Sequence, residues 1–215
     1  KMAYSVGMQI GQMIAVNWYE SINHELFGND STKTINKEDM LAGFFAGVTG
    51  KGRIMDPIIA TTYTDDKMKS VKEASLLERF GENKAAGEKF LEENKAKEGV
   101  VTTESGLQYK VITEGKGQVP TSTDRVKVHY KGTLIDGTEF DSSYSRKDKD
   151  GNPQPSTFRA NQVIKGWTEA LTMMPIGSKW ELYIPQELAY GSQDKGTIPP
   201  FSTLIFEVEL LSIEK

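Results

Sequence analysis

The sequence predicts an α+β chain: an all-helical N-terminal domain, a long connecting helix, and then an antiparallel β-sheet wrapped around one short helix. Three observations predict it. Apolar residues recur at helical spacing from Met2 to about Glu98, a charged stretch without proline closes that region, and from Val100 onward the pattern changes to alternation. The divisions that follow are residues 1–65 for a helical domain, 66–98 for the connecting helix and 99–215 for the sheet domain. At 215 residues the chain is long enough for two small domains.

In the first helical stretch, YSVGMQIGQMIAVNWYESI, the residues Val6, Ile10, Met13 or Ile14, and Trp18 share a face, with Gly7 and Gly11 lowering local propensity. In TINKEDMLAGFFAGVTG, Asn36 is placed to cap a helix that carries Met40, Leu41, Phe44, Phe45 and Val48 and stops at Gly50. Both helices are expected to be amphipathic. The stretch TDDKMKSVKEASLLERFGENKAAGEKFLEENKAKEG begins at Thr64 and is rich in Glu, Lys and Ala. It predicts one helix of about 30 residues or more, roughly 45 Å long, stopped at Gly99. Its apolar positions Met68, Val71, Leu77, Phe80, Phe90 and Leu91 drift from a heptad, and Gly81 and Gly87 each cost about 1 kcal/mol relative to Ala. That describes a connecting helix and not a sustained coiled coil.

The second half reads as strands in GLQYKVI, RVKVHYKGTLI, SKWELYIP and STLIFEVELLSI. Val126, Val128 and Tyr130 fall on one face, with Lys127, His129 and Lys131 on the other; Leu204, Phe206, Val208 and Leu210 face away from Glu207 and Glu209. One helical candidate interrupts them, about two turns starting at Trp167 within VIKGWTEALTMMPIGSKWELYIP. A large indole at the start of so short a helix, turned toward the sheet, forms a floor that several strands surround. Tyr130, Phe140, Phe158, Val163, Ile164, Trp167, Tyr190, Ile198 and Phe206 come from separate strands and loops, and by residue type they suit a closed core as well as a pocket.

A net charge of -4, without a dense basic cluster, argues against nucleic acid as a partner. No apolar run approaches the roughly 20 residues of a membrane span. With 0 cysteines there is no disulfide, no thiolate nucleophile and no cysteine metal site. The chain opens on Lys1, so a mature or trimmed form is expected, with any signal segment already removed. DKDGN hints at a calcium loop, yet Arg159 stands where the loop's closing Glu belongs, which leaves a plain turn. His24 and His129 have no partner at ligand spacing, and GKG at Gly115 to Gly117 lacks the Lys-Ser/Thr of a phosphate loop. No metal or organic cofactor is expected.

Four motifs, VHYKGTLIDGTEFDSS, QVIKGWTEAL, PIGSKWELYIPQELAYG and IPPFSTLIFEVELL, follow one another in order, and over roughly 107–214 the chain closely resembles the FKBP family of peptidyl-prolyl cis/trans isomerases. YSVGMQIG and GEKFLEENKAKEGVVTTESGLQYKVI resemble the helical dimerisation region of the bacterial Mip-like and periplasmic members; the likeness is weaker between about 19 and 65. The resemblance implies an FKBP-like sheet and a pocket in which a prolyl ring rests on Trp167, walled by Tyr130, Phe140, Val163, Ile164 and Phe206. Phe158 matches the pocket aromatic of the bacterial branch. The Ile164 N–H and the Tyr190 hydroxyl match the donors to substrate carbonyls, Asp141 matches a rim carboxylate, and Ile198 lies on the flap loop. Asp141 also fits a turn cap or a partner for a nearby Arg or Tyr. The loop YSRKDKDGNPQPST is longer than is usual for bacterial members, and no role is carried to Arg146 or Tyr144.

The same resemblance implies catalysis by Asp141, Tyr190 and Trp167 on unfolded or nascent proline-containing polypeptides, a homodimer through the N-terminal helices, macrolide inhibitors that fit the pocket, and a bacterial periplasmic or outer-membrane-attached location. A proline-directed peptide-binding chaperone module with little turnover and a purely structural helical scaffold are the two other functions compatible with the sequence.

Overall fold

The computed structural model describes residues 1–214 and divides into two compact units, Lys1–Arg79 and Phe80–Lys215. In the first, α1 (Met2–Met13), a π-helical turn (Ile14–Trp18) and α2 (Tyr19–Phe27) follow one another with right-handed helical backbone at each junction. Of the expected stripe only Ile14 is buried; Val6, Ile10 and Trp18 are about half exposed. The π turn takes an extra residue, so Trp18 no longer falls over Ile14. Helix α3 (Lys37–Thr49) has the expected ends: the Asn36 side chain accepts from Asp39 N at 3.0 Å, Glu38 and Asp39 face the positive end of the helix, and Gly50 stops it at φ 72°.

The long helix α4 (Pro57–Asn94) has 38 residues, about 57 Å at 1.5 Å per residue. It begins before the expected Thr64 because Asp56 Oδ1 accepts from Ile58 N at 2.8 Å and Pro57 occupies the first helical position, where a missing N–H costs nothing. Within the first unit it is tied down by Lys72 to Glu25 at 3.2 Å, by Lys33 to Glu78, and by Arg79 donating to Phe27 O at 3.2 Å. It ends at Asn94 and not at Gly99. There the buried Asn94 amide donates to Gln108 Oε1 at 2.9 Å, and Gln108 Nε2 donates to Leu91 O at 2.8 Å, which turns the chain onto the first long strand.

The second unit contains β1 (Val100–Thr102), β2 (Gln108–Thr113), β3 (Arg125–Leu134), β4 (Glu139–Ser142), β5 (Ser156–Arg159), α5 (Lys165–Leu171), β6 (Lys179–Ile184) and β7 (Leu204–Glu214). The sheet order is β1-β2-β6-β7-β3-β4, with β5 also paired to β3, and every pairing is antiparallel. The expected alternation holds in β3 and β7: Val126, Val128, Leu204, Val208 and Leu210 are buried while Lys127, His129, Glu207 and Glu209 are not. Three short strands, β1, β4 and β5, had no alternation long enough to read. Leu171 and Ala170 of α5 join Leu182, Ile184 and Leu204 in one core, and a Cβ on Gly166 would press into Ile184, so α5 lies close against the sheet. Each such buried Leu or Ile contributes about 1.5–3 kcal/mol.

Candidate active site

The sheet and α5 leave a cavity of about 410 Å³, and every residue expected at the site lines it. Tyr130 comes from β3, Phe140 and Asp141 from β4, Phe158 from β5, and Phe206 from β7; Val163 and Ile164 precede α5, Trp167 sits in its first turn, and Tyr190 and Ile198 lie between β6 and β7. Gln162 and Thr197 also line the cavity, and nothing in the sequence pattern marked them.

Consecutive residues on a strand point to opposite faces, so Phe140 and Asp141 share a cavity only if the pleat is interrupted. It is: Gly132 pairs with Asp141 but Thr133 pairs with Glu139, leaving Phe140 as the extra residue of a bulge. Gly132 is the second local device. A Cβ there would collide with the rings of Phe140 and Phe206, which meet edge-on with centroids 5.4 Å apart.

Trp167 is 4% exposed. The rings of Tyr130, Phe158 and Phe206 lie 5.2, 5.7 and 5.2 Å from its indole at interplanar angles of 86°, 87° and 80°, an aromatic surround on a flat base. The indole N–H is buried with no partner among the described residues, an arrangement that costs about 1–3 kcal/mol.

The rim is polar. The Tyr130 hydroxyl donates to Asp141 Oδ2 at 2.6 Å and accepts from Arg146 Nη2 at 2.6 Å, and Arg146 lies 3.8 Å from Asp141 Oδ1. Asp141 therefore takes the alternative left open by the sequence, as partner of a Tyr and an Arg, while still lining the cavity. Arg146 reaches it because the long loop is a hairpin: Gln154 N donates to Arg146 O at 2.9 Å, and Asp148 Oδ1 accepts from the backbone of Asp150 and Asn152 at 2.9 Å each. The same bonds make DKDGN a turn, and no carboxylate or histidine cluster suited to a metal exists among the described residues.

Burial, and then the bond to Asp141, pushes the Tyr130 hydroxyl above the usual tyrosine range. Burial, followed by the charge of Asp141, does the same for Tyr190. The Tyr190 hydroxyl and the Ile164 N–H make no hydrogen bond with other described residues, so two donors at the lining are free.

A family model described as FKBP-type peptidyl-prolyl cis-trans isomerase matches residues 116–211, and one for the domain amino terminal to it matches residues 1–111. The FKBP-type 22 kDa peptidyl-prolyl cis-trans isomerase of Escherichia coli (strain K12) is 46% identical over 215 residues, which is 98% of this chain and 93% of that protein. The chain belongs to the FKBP-type peptidyl-prolyl cis-trans isomerases. Another relative, the Outer membrane protein MIP of Legionella longbeachae, is 40% identical over 100% of this chain and 85% of its own length. Among solved FKBP-type structures, FkpA from Escherichia coli superposes with a TM-score of 0.61 at 37% identity, covering 99% of this chain and 95% of that one. No helix among the described residues is long and apolar enough to cross a membrane.

Proposed function

We propose that this isomerase accelerates rotation about X-Pro bonds of unfolded polypeptides by holding the prolyl ring in the cavity over Trp167, with no covalent step and no proton transfer. The observation that supports this most is the coincidence of an aromatic-lined cavity with two free donors in its wall. Rotation faces about 18–20 kcal/mol because twisting removes amide resonance, and the uncatalysed exchange takes tens of seconds or longer. The twisted amide is less delocalised and less polar than either planar form. A water-poor aromatic surface therefore favours it over the ground state.

In this reading Trp167 is the floor and Tyr130, Phe140, Phe158, Val163, Ile198 and Phe206 are the walls. Ile164 N–H and the Tyr190 hydroxyl hold a flanking carbonyl while the prolyl side turns. Asp141, already bonded to Tyr130 and beside Arg146, fixes the wall and places negative charge on the rim; it is not a base. A protease-coupled assay on a proline peptide tests the reading. Faster exchange with protein than without is expected, and equal rates contradict it.

We further propose that residues 99–215 are the catalytic domain, that residues 66–98 connect it, and that residues 1–65 pair two copies, so that two pockets engage one unfolded client. The support is a groove of about 820 Å³ between α1 and α3, lined by Tyr4, Met8, Ile10, Phe44, Phe45 and Val48. The kinship with the Outer membrane protein MIP supports a periplasmic or outer-membrane setting and exported clients. Light scattering on the full chain tests the pairing: a dimer mass is expected, and a monomer at high concentration contradicts it. A chaperone action is the second reading, favoured by the same exposed groove. It requires that client aggregation be suppressed by a variant that no longer accelerates the peptide.

A further inference from the structure

The segment that carries Thr197 and Ile198 into the cavity is an excursion between Gly191 and Phe201, closed at its root by Phe201 N donating to Gly191 O at 2.7 Å. The root is a demanding piece of backbone. Phe201 holds φ 61°, a left-handed conformation that a bulky residue adopts only when its surroundings impose it. Pro199 and Pro200 lack N–H groups, so only their carbonyls can fasten the chain there.

Those carbonyls are taken. Asn83 Nδ2, on α4, donates to Pro200 O at 2.7 Å and to Ser202 Oγ at 3.0 Å, and the Ser202 hydroxyl in turn donates to Pro199 O at 2.8 Å. One amide nitrogen thus spends both of its hydrogens on the root of the flap. One turn further along α4, a Cβ on Gly87 would overlap Thr203 Oγ1, so the helix backbone lies directly against the residue that follows. A further anchor of α4 in this unit, Asn94 to Gln108, holds β2, and neither side chain has a hydrogen bond to the flap among the described residues.

We infer that Asn83 is a positioning residue for the reaction: through Pro200 and Ser202 it holds the flap in the place where Thr197 and Ile198 close the cavity. The inference rests on the reading that this cavity is where turnover occurs. Replacing Asn83 by Asp keeps its shape, removes both donors and sets a carboxylate against the Pro200 carbonyl.

The test compares Asn83→Asp, Asn94→Ala and wild type as full chains, reading kcat/KM on a proline peptide, the Ile198 δ1 methyl resonance and the melting temperature. For Asn83→Asp, kcat/KM is expected to fall by at least about fivefold, with the Ile198 methyl shifted or broadened and the far-ultraviolet circular dichroism unchanged. For Asn94→Ala, the melting temperature falls while kcat/KM stays within about twofold of wild type. Asn83→Ser, whose hydroxyl is too short to reach, is read by the same criteria should the Asp variant not fold. The inference is overturned if the Asn83 variant keeps kcat/KM within about twofold, or if Asn94→Ala loses as much activity. A wild-type protein with no activity on the peptide defeats instead the reading of the cavity.

Discussion

In Lys1–Arg79 the buried hydrophobic side chains are Ile14 and Leu26, whereas in the second unit residues from Leu107 to Leu210 close into one core around α5. The helical unit leaves Tyr4 76% and Phe45 61% exposed, although their spacing along α1 and α3 is as regular as that of Val126, Val128 and Tyr130 along β3. Periodicity states which side chains share a face; it does not state what covers the face. In the sheet unit the cover is supplied by the same unit. In the helical unit it is not, and a second copy of the chain is the cover we propose.

The most severe way to break this comparison is to put the same charge into both regions. Val208→Glu buries an unpaired carboxylate in the core and is expected to cost more than about 3 kcal/mol, seen as loss of the cooperative melting transition. Phe45→Glu is expected to leave kcat/KM on a short peptide unchanged and to lower the mass seen by light scattering. If Phe45→Glu unfolded the protein as Val208→Glu does, the two regions would not differ as described.

Glycines of α4 sharpen the same point at smaller scale. Gly87→Ala must displace Thr203 and is expected to destabilise by about 1–3 kcal/mol, while a Cβ on Gly81 meets nothing within 4 Å and Gly81→Ala is expected to stabilise by up to about 1 kcal/mol. Thermal melts of both variants check the opposite signs.

Sequence alone priced these glycines equally, since propensity ignores what a helix packs against. It placed Asn36 and Gly50 at the ends of α3 correctly, because a cap is local chemistry. The Asp56-Pro57 start of α4 is equally local chemistry, whereas its end at Asn94 depends on Gln108 across the turn and has no local mark. For the cavity, the family resemblance pointed to most of its lining residues and left out Gln162 and Thr197, while the bulge at Phe140, the open space left by Gly132 and the reach of Arg146 are products of pairing and loop geometry.

Smaller effects belong to the polar rim. Tyr130→Phe removes the hydroxyl that joins Asp141 and Arg146, and kcat/KM is expected to fall by about two- to fivefold with the fold intact. The pH dependence should be weaker still. Tyr130 and Tyr190 have their proton affinity raised in the folded protein, so both stay neutral through the physiological range, and their contribution to stability is present below about pH 10 and lost as pH rises beyond it. A mechanism without proton transfer predicts kcat/KM that is flat between about pH 6 and 9; a bell-shaped profile would require an acid or base that this account does not contain.

The most direct measurement is cis/trans exchange of a proline peptide followed by nuclear magnetic resonance with wild type and with Trp167→Leu, the melting transition of each being recorded alongside. The account predicts that the folded variant, which keeps an apolar floor but loses the indole surface, accelerates exchange at least about tenfold less, or about 1.4 kcal/mol of barrier. A folded Trp167→Leu protein that turns the peptide over at the wild-type rate would contradict it.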